Sequence, residues 1–312
     1  MEFHHVPVLL EATMESLALK KEGIYVDGTL GGGGHSEQIL LRTDPGGRLI
    51  GIDQDEEALA AASARLAPFG NRFTAVKGNF SEMKQILTQL EITEVDGILL
   101  DIGVSSHQLD DSSRGFSYMV DAPLDMRMDQ QSNGKTAADL LAELSEEDLA
   151  NLIYRYGEER YSRRIARQIV EQRQREPITT TLQLVRLICK AMPKNQNKEK
   201  QHPAKRTFQA LRIAVNDELG VLQTALVNAL DLLKPGGRLS VISFHSLEDR
   251  IVKEQFRTWA KGCTCPPDFP VCVCGKVPLV RLITRKPIVA TEAELTENPR
   301  ARSAKLRCIE KL

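Results

Sequence analysis

The sequence predicts an α/β protein with one mostly parallel sheet that is interrupted by a helical insertion. In the first hundred residues, short apolar runs alternate with helical patterns, as in a parallel sheet with right-handed crossovers. Residues 136–200 are interpreted as several helices, separated by the Pro177 region and by the polar run KNQNKEKQH, and apolar runs return near the end of the chain. The length of 312 residues exceeds that of a usual single domain, so a second domain or a large insertion is expected.

The N-terminal half contains four predicted strands. The first runs directly into four consecutive glycines, and a helix follows near Ser36. A helix over 55–67 has acidic residues in its first turn, which the helix dipole favours. The fourth strand is apolar throughout, as expected where both sheet faces are covered. The predicted strands are 24–27, 48–53, 73–80 and 95–103.

The alternation stops near residue 104. A long loop is predicted over 105–135, and one continuous helix over 208–233 returns the chain to the sheet. The remaining strands are predicted at 238–244, 280–285 and 303–311. We therefore predict a sheet domain formed by 1–108 and 205–312, with an inserted helical domain at 109–204.

Composition excludes several classes of protein. The formal net charge is -1, so any contact with nucleic acid must come from a local basic patch. No signal peptide is recognisable, and no apolar run approaches the roughly 18 residues that a membrane span needs. Six cysteines in a chain of this length do not indicate a secreted disulfide scaffold. The cytoplasm is the expected compartment.

The four glycines indicate a cofactor site, because ligands of open α/β sheets bind beyond the carboxyl ends of the strands. Asp53 ends the second strand, where a carboxylate can bind ribose hydroxyls. The G-x-G-x-x-G pattern of dinucleotide sites is absent, since Ser36 stands where the third glycine would follow Gly31 and Gly33. Asp27 before the loop suits a cationic ligand, which favours S-adenosylmethionine over a nicotinamide cofactor.

Several stretches together resemble one family. YVDGTLGGGGHS, GIDQD, LLDIGVSSHQLDDSSRGFS, HPAKRTFQALRIAVNDEL, LKPGGRLSVISFHSLEDRIVK and NPRARSAKLR are similar to the bacterial 16S ribosomal RNA (cytosine-N4-)-methyltransferases. The resemblance implies the Rossmann-like fold of class I methyltransferases. It also implies methyl transfer from S-adenosylmethionine to N4 of a cytidine in the decoding region of the small ribosomal subunit. The cofactor positions that it implies are Gly33, Gly34, His35, Asp53, Phe80, Asp101 and Gln108.

The cytosine N4 amine is a poor nucleophile because its lone pair is delocalised into the ring. Catalysis therefore needs an acceptor for an N–H, and we predict Asp101, with His107 and Asp125 as weaker candidates. Many amino-methyltransferases have a Pro-Pro-aromatic sequence after the fourth strand, but here Ile-Gly-Val-Ser-Ser follows Asp101. The alternative is that Asp101 only orients the cofactor.

RNA contacts are predicted in two places. Basic residues interleave with Phe208 in HPAKRTFQALR, which suits phosphate contacts and base stacking. The loop after the fourth strand could hold a flipped-out cytosine. The mixed-charge segment 155–168 is interpreted as a solvated helix in which Glu159 pairs with Arg163. The predicted RNA-binding residues are Arg114, Phe116, Arg127, Lys205, Arg206 and Arg212.

Two further motifs are ambiguous. Ser243, His245 and Asp249 in SFHSLEDR would suit a serine hydrolase, but no G-x-S-x-G elbow supports that interpretation.

The stretch CTCPPDFPVCVCG holds Cys263, Cys265, Cys272 and Cys274, which could bind zinc. C-x-C spacing is less usual than C-x-x-C, so a reduced thiol loop without metal is favoured.

Three functions remain to be distinguished. The first is the RNA methyltransferase, with 16S ribosomal RNA in the small ribosomal subunit as partner; a homodimer is compatible with the sequence. The second is a nicotinamide-dependent oxidoreductase, against which the missing glycine argues. The third is a non-catalytic RNA-binding protein with a remnant fold, against which the intact Asp53 and Asp101 argue.

Overall fold

The computed structural model describes residues 7–193, 202–263, 265, 271 and 273–312, without the side chains of Ser106 and His107. The candidate His107 and the thiol of Cys272 therefore lie outside the described residues. The chain packs as two units, one formed by 1–103 and 219–312 and the other by 104–218.

The first unit contains one seven-stranded sheet. Its strand order is β3-β2-β1-β4-β5-β7-β6. The pairs that β1 forms with β2 and β4, β2 with β3, and β4 with β5 are parallel, whereas β7 is antiparallel to both of its neighbours. The predicted mostly parallel sheet is confirmed. The strands are β1 Ile24–Asp27, β2 Arg48–Asp53, β3 Phe73–Lys77, β4 Val95–Asp101, β5 Leu233–Ser243, β6 Val280–Leu282 and β7 Lys305–Lys311.

Helices cover both faces of this sheet. One apolar cluster joins β4 and β5 to the helices that precede and follow β5, and another joins β1 and β2 to the N-terminal helix. The four strands β1, β2, β4 and β5 run in parallel, so their carboxyl ends meet at one edge. The helices of this unit are α1 Leu10–Leu17, α2 Gly34–Arg42, α3 Glu56–Leu66, α4 Met83–Gln89, α11 Glu218–Leu232, α12 Ser246–Ala260 and α13 Glu292–Glu297, with α11 starting at the last residue of the second unit.

The second unit is helical and has its own core. Apolar residues of its helices and of the loop 116–128 form a separate cluster that includes Phe208 and Leu211. Residues 105–135 form a loop, as predicted, with one short α-helix and one 3-10 turn, Ser112–Arg114, in it. The helices are α5 Ser106–Asp110, α6 Ala137–Glu143, α7 Glu146–Gly157, α8 Ser162–Arg173, α9 Thr181–Ala191 and α10 Lys205–Asn216.

The continuous helix predicted over 208–233 is wrong. The chain turns at Asp217, whose φ of 45° lies in the left-handed region, so α10 and α11 are separate helices. Because α10 packs into the core of the second unit, that unit extends to residue 218, beyond the predicted end of the insertion at 204. The second unit begins at residue 104, before the predicted start of the insertion at residue 109.

No helix in the described ranges is both long and apolar enough to span a membrane.

Candidate active site

The glycine turn connects β1 to α2. Gly31 has a φ of 49°, and a Cβ added there would meet only the Thr29 carbonyl oxygen, at 3.9 Å. A Cβ on Gly34 would lie 2.5 Å from Cγ of Pro7, so this glycine is required by the packing of the N-terminal segment. Gly33, with a φ of 74°, caps α2. Gly31 therefore keeps an open surface for a ligand, whereas Gly33 and Gly34, which were predicted to bind the cofactor, are constrained by contacts within the fold.

Asp27 organises this turn from the end of β1. Its buried carboxylate accepts hydrogen bonds from the Ser36 hydroxyl at 2.7 Å and from the Thr29 backbone N–H at 3.1 Å. Burial raises the pKa of Asp27 above its ordinary value, which the hydrogen bonds partly offset. The carboxylate thus links Thr29 and Ser36, which flank the glycines on either side.

Asp53 lies at the end of β2 and faces the same turn. Its Oδ2 accepts a hydrogen bond from the Gly31 N–H at 2.8 Å, and its Oδ1 accepts one from the Asp55 N–H at 3.0 Å. Each carboxylate oxygen retains a second lone pair, so the group can still accept hydrogen bonds from two hydroxyls of a ribose. Burial raises the pKa of Asp53 to about 6, against the effect of these backbone donors.

Asp101 ends β4 beside β1. Its backbone N–H donates to the Thr29 hydroxyl at 2.6 Å, while its side-chain Oδ1 is buried and has no hydrogen-bond partner among the described residues. Burial, followed by the negative charges of Asp27 and Glu248, raises the pKa of Asp101 to about 8. A buried acceptor without a partner is costly, which indicates that a ligand or substrate supplies the missing donor.

His35, at the start of α2, faces Asp101. Its Nε2 lies 3.0 Å from the carbonyl oxygen of Val8, which can only accept, so Nε2 carries a proton. Nδ1 then faces Oδ2 of Asp101 at 3.7 Å. The side chain of His35 is buried, so the histidine joins the N-terminal segment to the acidic edge of the sheet.

Phe80 borders the site on the side of β3. Asn79 caps the short turn that starts at Phe80 and donates from Nδ2 to the Gln54 side chain at 3.2 Å. The half-buried ring packs against the sheet core, and its Cβ would lie 3.0 Å from a Cβ on Gly28. Phe80 is therefore held next to the glycine turn.

Sequence reasoning missed Glu248. This residue is buried at the start of α12, where it accepts hydrogen bonds from the backbone N–H groups of Phe244 and His245 at 2.8 and 3.2 Å. Its charge contributes to the raised pKa of Asp101. The signal in the sequence was a capping pair, since His245 and Glu248 stand three residues apart at the start of a helix.

The serine-hydrolase arrangement does not form. The Ser243 hydroxyl donates to the carbonyl oxygen of Lys305 at 3.5 Å, and Asp249 pairs with Arg307 at 2.7 Å. His245 instead pairs with Glu248, its Nε2 lying 2.9 Å from Oε1. These side chains have separate partners and do not form a relay.

The predicted RNA-binding residues in the loop of the second unit are used by the fold. Arg114 is buried and donates to the carbonyl oxygen of Met128 at 2.8 Å, and Phe116 is buried in the helical core. The Arg127 guanidinium forms two hydrogen bonds of 2.8 Å with Asp125, which also holds the pKa of the weaker candidate Asp125 below its usual value. Burial of Arg114 and Phe116 argues against their predicted contacts with a flipped base.

The three residues of α10 that were predicted to bind RNA have different environments. Arg212 forms hydrogen bonds of 2.7 and 2.8 Å with the buried carboxylate of Glu218. Lys205 is partly exposed, and the side chain of Arg206 is 42% exposed. Lys205 and Arg206 are therefore open to a ligand, while Arg212 is engaged in the fold.

Gln108 belongs to the second unit. Its side-chain Oε1 accepts a hydrogen bond from the Ser105 N–H at 3.1 Å, and its backbone N–H donates to the Ser105 hydroxyl at 3.2 Å. The buried amide thus fixes the start of α5. Its role in cofactor binding stays a prediction.

A sheet of this strand order, with a single reversed strand next to its edge, is that of the class I methyltransferases. The methyl donor of this class is S-adenosylmethionine. The open surface at Gly31, the spare lone pairs of Asp53 and the partnerless Oδ1 of Asp101 suit its ribose and its positive charge. The cofactor predicted from the sequence therefore fits the residues present.

The chain belongs to the MraW methylase family, whose model matches residues 2–312. It is 59% identical over 312 residues to a protein of Symbiobacterium thermophilum named ribosomal RNA small subunit methyltransferase H, covering 100% of this chain and 98% of that protein. Proteins of the same name from Geobacter sulfurreducens and Carboxydothermus hydrogenoformans are 59% and 56% identical, with 100% of this chain and 100% and 99% of those proteins covered. The resemblance found in the sequence is confirmed, and the nicotinamide-dependent oxidoreductase finds no support.

Proposed function

We propose that this protein transfers a methyl group from S-adenosylmethionine to the exocyclic N4 of a cytidine in the decoding region of 16S ribosomal RNA. The observation that carries the proposal is the identity of 55–59% along the whole chain to proteins named ribosomal RNA small subunit methyltransferase H. The acidic, partly unsatisfied edge of the sheet supplies chemistry that this reaction can use.

Asp53 would hold the ribose of the cofactor, and Gly31 would lie along its methionine part. S-adenosylmethionine supplies an electrophilic methyl group on a sulfonium. Phe80, fixed beside the turn, would pack on the adenine. These roles need only groups that the structure leaves available, namely lone pairs, an open main-chain surface and a half-buried ring.

Asp101 is proposed as the acceptor for an N–H of the target amine. Its Oδ1 is buried and lacks a donor among the described residues, and an amine N–H would satisfy it. Accepting that N–H would turn the nitrogen lone pair away from Asp101 and toward the methyl carbon. Orientation of this kind can contribute several kcal/mol, within the roughly 7–11 kcal/mol available from positioning. His35 would act as a positioning residue, since it faces Oδ2 of Asp101.

RNA binding is proposed at the junction of α7 and α8. Arg155 lies over the ring of Tyr156 at 5.5 Å, and Arg164 lies over Tyr161 at 5.9 Å. Tyr154 is 64% exposed, and Arg160 is also exposed. We call these six residues the tyrosine–arginine surface. Aromatic rings and arginines at one junction suit unpaired bases and phosphates.

Arg206 extends this basic region. Its Nη1 lies 3.9 Å from the buried Glu159, which places the start of α10 next to the same junction. The sequence interpretation paired Glu159 with Arg163 on one helix, but Glu159 lies before α8 and accepts a hydrogen bond from the Tyr161 N–H at 2.8 Å. Arg163 and Arg164 at the start of α8 are exposed, and we propose that they contact ribosomal RNA.

Methyl transfer to purified substrates tests the function. The protein and S-adenosylmethionine are incubated with small ribosomal subunits or naked 16S RNA from cells lacking the gene, and the modified nucleotides are mapped by mass. We expect one N4-methylcytidine in the decoding region, formed at a lower rate with the Asp101→Asn variant. Methylation only at carbon 5, or at adenines, would contradict the proposal, and no methylation with either substrate would favour the non-catalytic RNA-binding protein.

The partner and the compartment follow from this proposal. The small ribosomal subunit is the proposed partner, and the cytoplasm is where that partner would be met. The homodimer stays a prediction, for which light scattering of the purified protein is the direct measurement.

A further inference from the structure

A loop with several cysteines joins α12 to β6. Among its described residues, Cys263, Cys265 and Cys274 bring their sulfurs together, with all three Sγ atoms within 4.8 Å of one another. The Sγ atoms of Cys263 and Cys274 are 3.7 Å apart. The sequence places a fourth cysteine, Cys272, in the same motif.

The spacing of the sulfurs suits a tetrahedral metal. With zinc–sulfur bonds of about 2.3 Å and tetrahedral angles, two ligand sulfurs lie about 3.8 Å apart. The separation of Cys263 and Cys274 matches this value, and Cys265 lies within reach of the same centre.

Main-chain donors also point at these sulfurs. The backbone N–H of Cys265 donates to Sγ of Cys263 at 3.4 Å, and that of Val273 donates to Sγ of Cys265 at 3.4 Å. Hydrogen bonds to ligand atoms orient them and stabilise the charge of a metal-bound thiolate. The loop backbone is therefore arranged around the sulfurs.

The described residues of the loop form no apolar core that could hold it. None of the described residues between 261 and 279 is buried, and Val271, Val273 and Val277 are 69–73% exposed. A backbone hydrogen bond joins the two ends of the loop, in which the Leu279 N–H donates to the carbonyl oxygen of Trp259 at 2.9 Å. Burial of these apolar side chains does not order the described part of the segment, whereas a metal can.

We propose that Cys263, Cys265 and Cys274 bind one structural Zn²⁺ that fixes this loop. The thiols release their protons to solvent on binding, the thiolates donate electron pairs to zinc, and no group is oxidised or reduced. This proposal reverses the expectation, drawn from the C-x-C spacing alone, of a loop without metal. It is independent of the methyl-transfer reaction, because it involves none of the residues at the carboxyl edge of the sheet.

Metal analysis of the full-length protein tests the site. The protein is incubated with one equivalent of zinc under reducing conditions, freed of unbound metal and analysed for zinc. We expect about one zinc per chain, and less than a tenth of that for Cys263→Ser and Cys274→Ser. Cys189→Ser is the matched control, because Cys189 is an exposed cysteine on α9, and it should retain the full content.

A second measurement needs no variant. Cobalt bound in place of zinc should show the intense ligand-field absorption of a tetrahedral thiolate site, and a chelator should abolish it and expose the loop to protease. A zinc content near zero in the parent protein would overturn the proposal, as would full retention of zinc by both serine variants. A mass lower by two hydrogens in protein purified without reductant, with no bound zinc, would assign a Cys263–Cys274 disulfide instead.

Discussion

The carboxyl edge of the sheet and the helical unit use their charged residues in opposite ways. At the sheet edge, Asp53 and Asp101 are buried carboxylates with spare or unsatisfied acceptor capacity, and burial raises the pKa of each. In the helical unit, the Arg127 and Arg212 guanidinium groups are satisfied by carboxylates of the same unit. The sheet edge retains binding capacity at a cost in stability, whereas these two arginines of the helical unit hold its fold.

This contrast separates two kinds of residue within a sequence motif. A group that the fold leaves unsatisfied is available for a ligand, while a group with a complete set of partners is required by the fold. Replacing the first kind should impair binding or catalysis with little loss of stability, and replacing the second should unfold the protein. The predictions below test that division, starting from the largest effect.

Asp53→Ala should weaken binding of S-adenosylmethionine more than any other single change considered. It removes a charged acceptor for two ribose hydroxyls, worth roughly 1.5–3 kcal/mol each, so the dissociation constant should rise at least about a hundredfold. Calorimetric titration measures the effect. Glu57→Ala, which removes an exposed acid on the neighbouring helix α3, is the control and should leave the affinity within about twofold. An unchanged affinity in Asp53→Ala would remove Asp53 from the site.

Arg212→Ala should act on stability instead. The change leaves the carboxylate of Glu218, whose side chain is only 5% exposed, without its guanidinium, so the free energy of unfolding should fall by about 2–4 kcal/mol. Denaturant unfolding monitored by circular dichroism measures it. Lys135→Ala breaks an ion pair with Glu143 that is more than half exposed on both sides, and should leave the free energy of unfolding nearly unchanged. A stable Arg212→Ala with impaired RNA binding would restore the role predicted from sequence.

The sequence located the acidic edge because strand ends in a parallel sheet converge. Asp27, Asp53 and Asp101 each end an apolar run, so their proximity followed from topology alone. Other features depended on contacts that no local pattern encodes. Gly34 is required by Pro7, and Arg212 is held by a residue beyond the unforeseen turn at Asp217.

Residue type alone misled the prediction in the helical unit. Arg114 and Phe116 have the chemistry of RNA contacts, but burial depends on how the loop folds onto the helices, and the structure places both inside. Glu248 was missed for the opposite reason, because its helix-capping pattern concealed a buried charge near Asp101.

Asp101→Asn should stabilise the free protein while it lowers turnover. The pKa of Asp101 is raised to about 8 in the folded state from an ordinary 3.8, so the folded state holds a proton that the unfolded state loses between these values. Stability contributed by this group is therefore lost as pH rises from about 4 to 8. At pH 8–9 the neutral amide should add about 1–3 kcal/mol to the free energy of unfolding. Thermal unfolding of both proteins at pH 5 and pH 9 measures this difference in stability. If the stability gained by Asp101→Asn does not grow with pH, the pKa of Asp101 is not raised.

The affinity for S-adenosylmethionine should rise with pH in the parent protein. A cationic ligand favours the ionised form of Asp101, so its binding should release protons below pH 8, and the affinity should increase roughly tenfold between pH 6.5 and 8.5. Titration in buffers of different ionisation enthalpy counts the protons. The same series with Asp101→Asn subtracts the titration of the cofactor's own amine, which ionises near pH 8. Identical pH profiles for the two proteins would show that Asp101 does not face the cofactor's charge.

Arg164→Ala should give the smallest effect and the clearest contrast with Arg212. The side chain is exposed above Tyr161, so its loss should leave stability unchanged within about 0.5 kcal/mol. If Arg164 contacts a phosphate, RNA affinity should fall about two- to fivefold in Arg164→Ala, and the slope of log affinity against log salt should decrease in magnitude by about one.

Arg175→Ala is the matched control. Arg175 is an exposed arginine beyond the other end of α8, so its replacement makes the same change of charge away from the tyrosine–arginine surface and should leave affinity and slope nearly unchanged. Tyr154→Ala should weaken binding without changing the slope, because stacking releases no counterions. Equal effects of Arg164→Ala and Arg175→Ala would mean that RNA responds only to the net charge of the unit, and the surface at the α7–α8 junction would lose its special role.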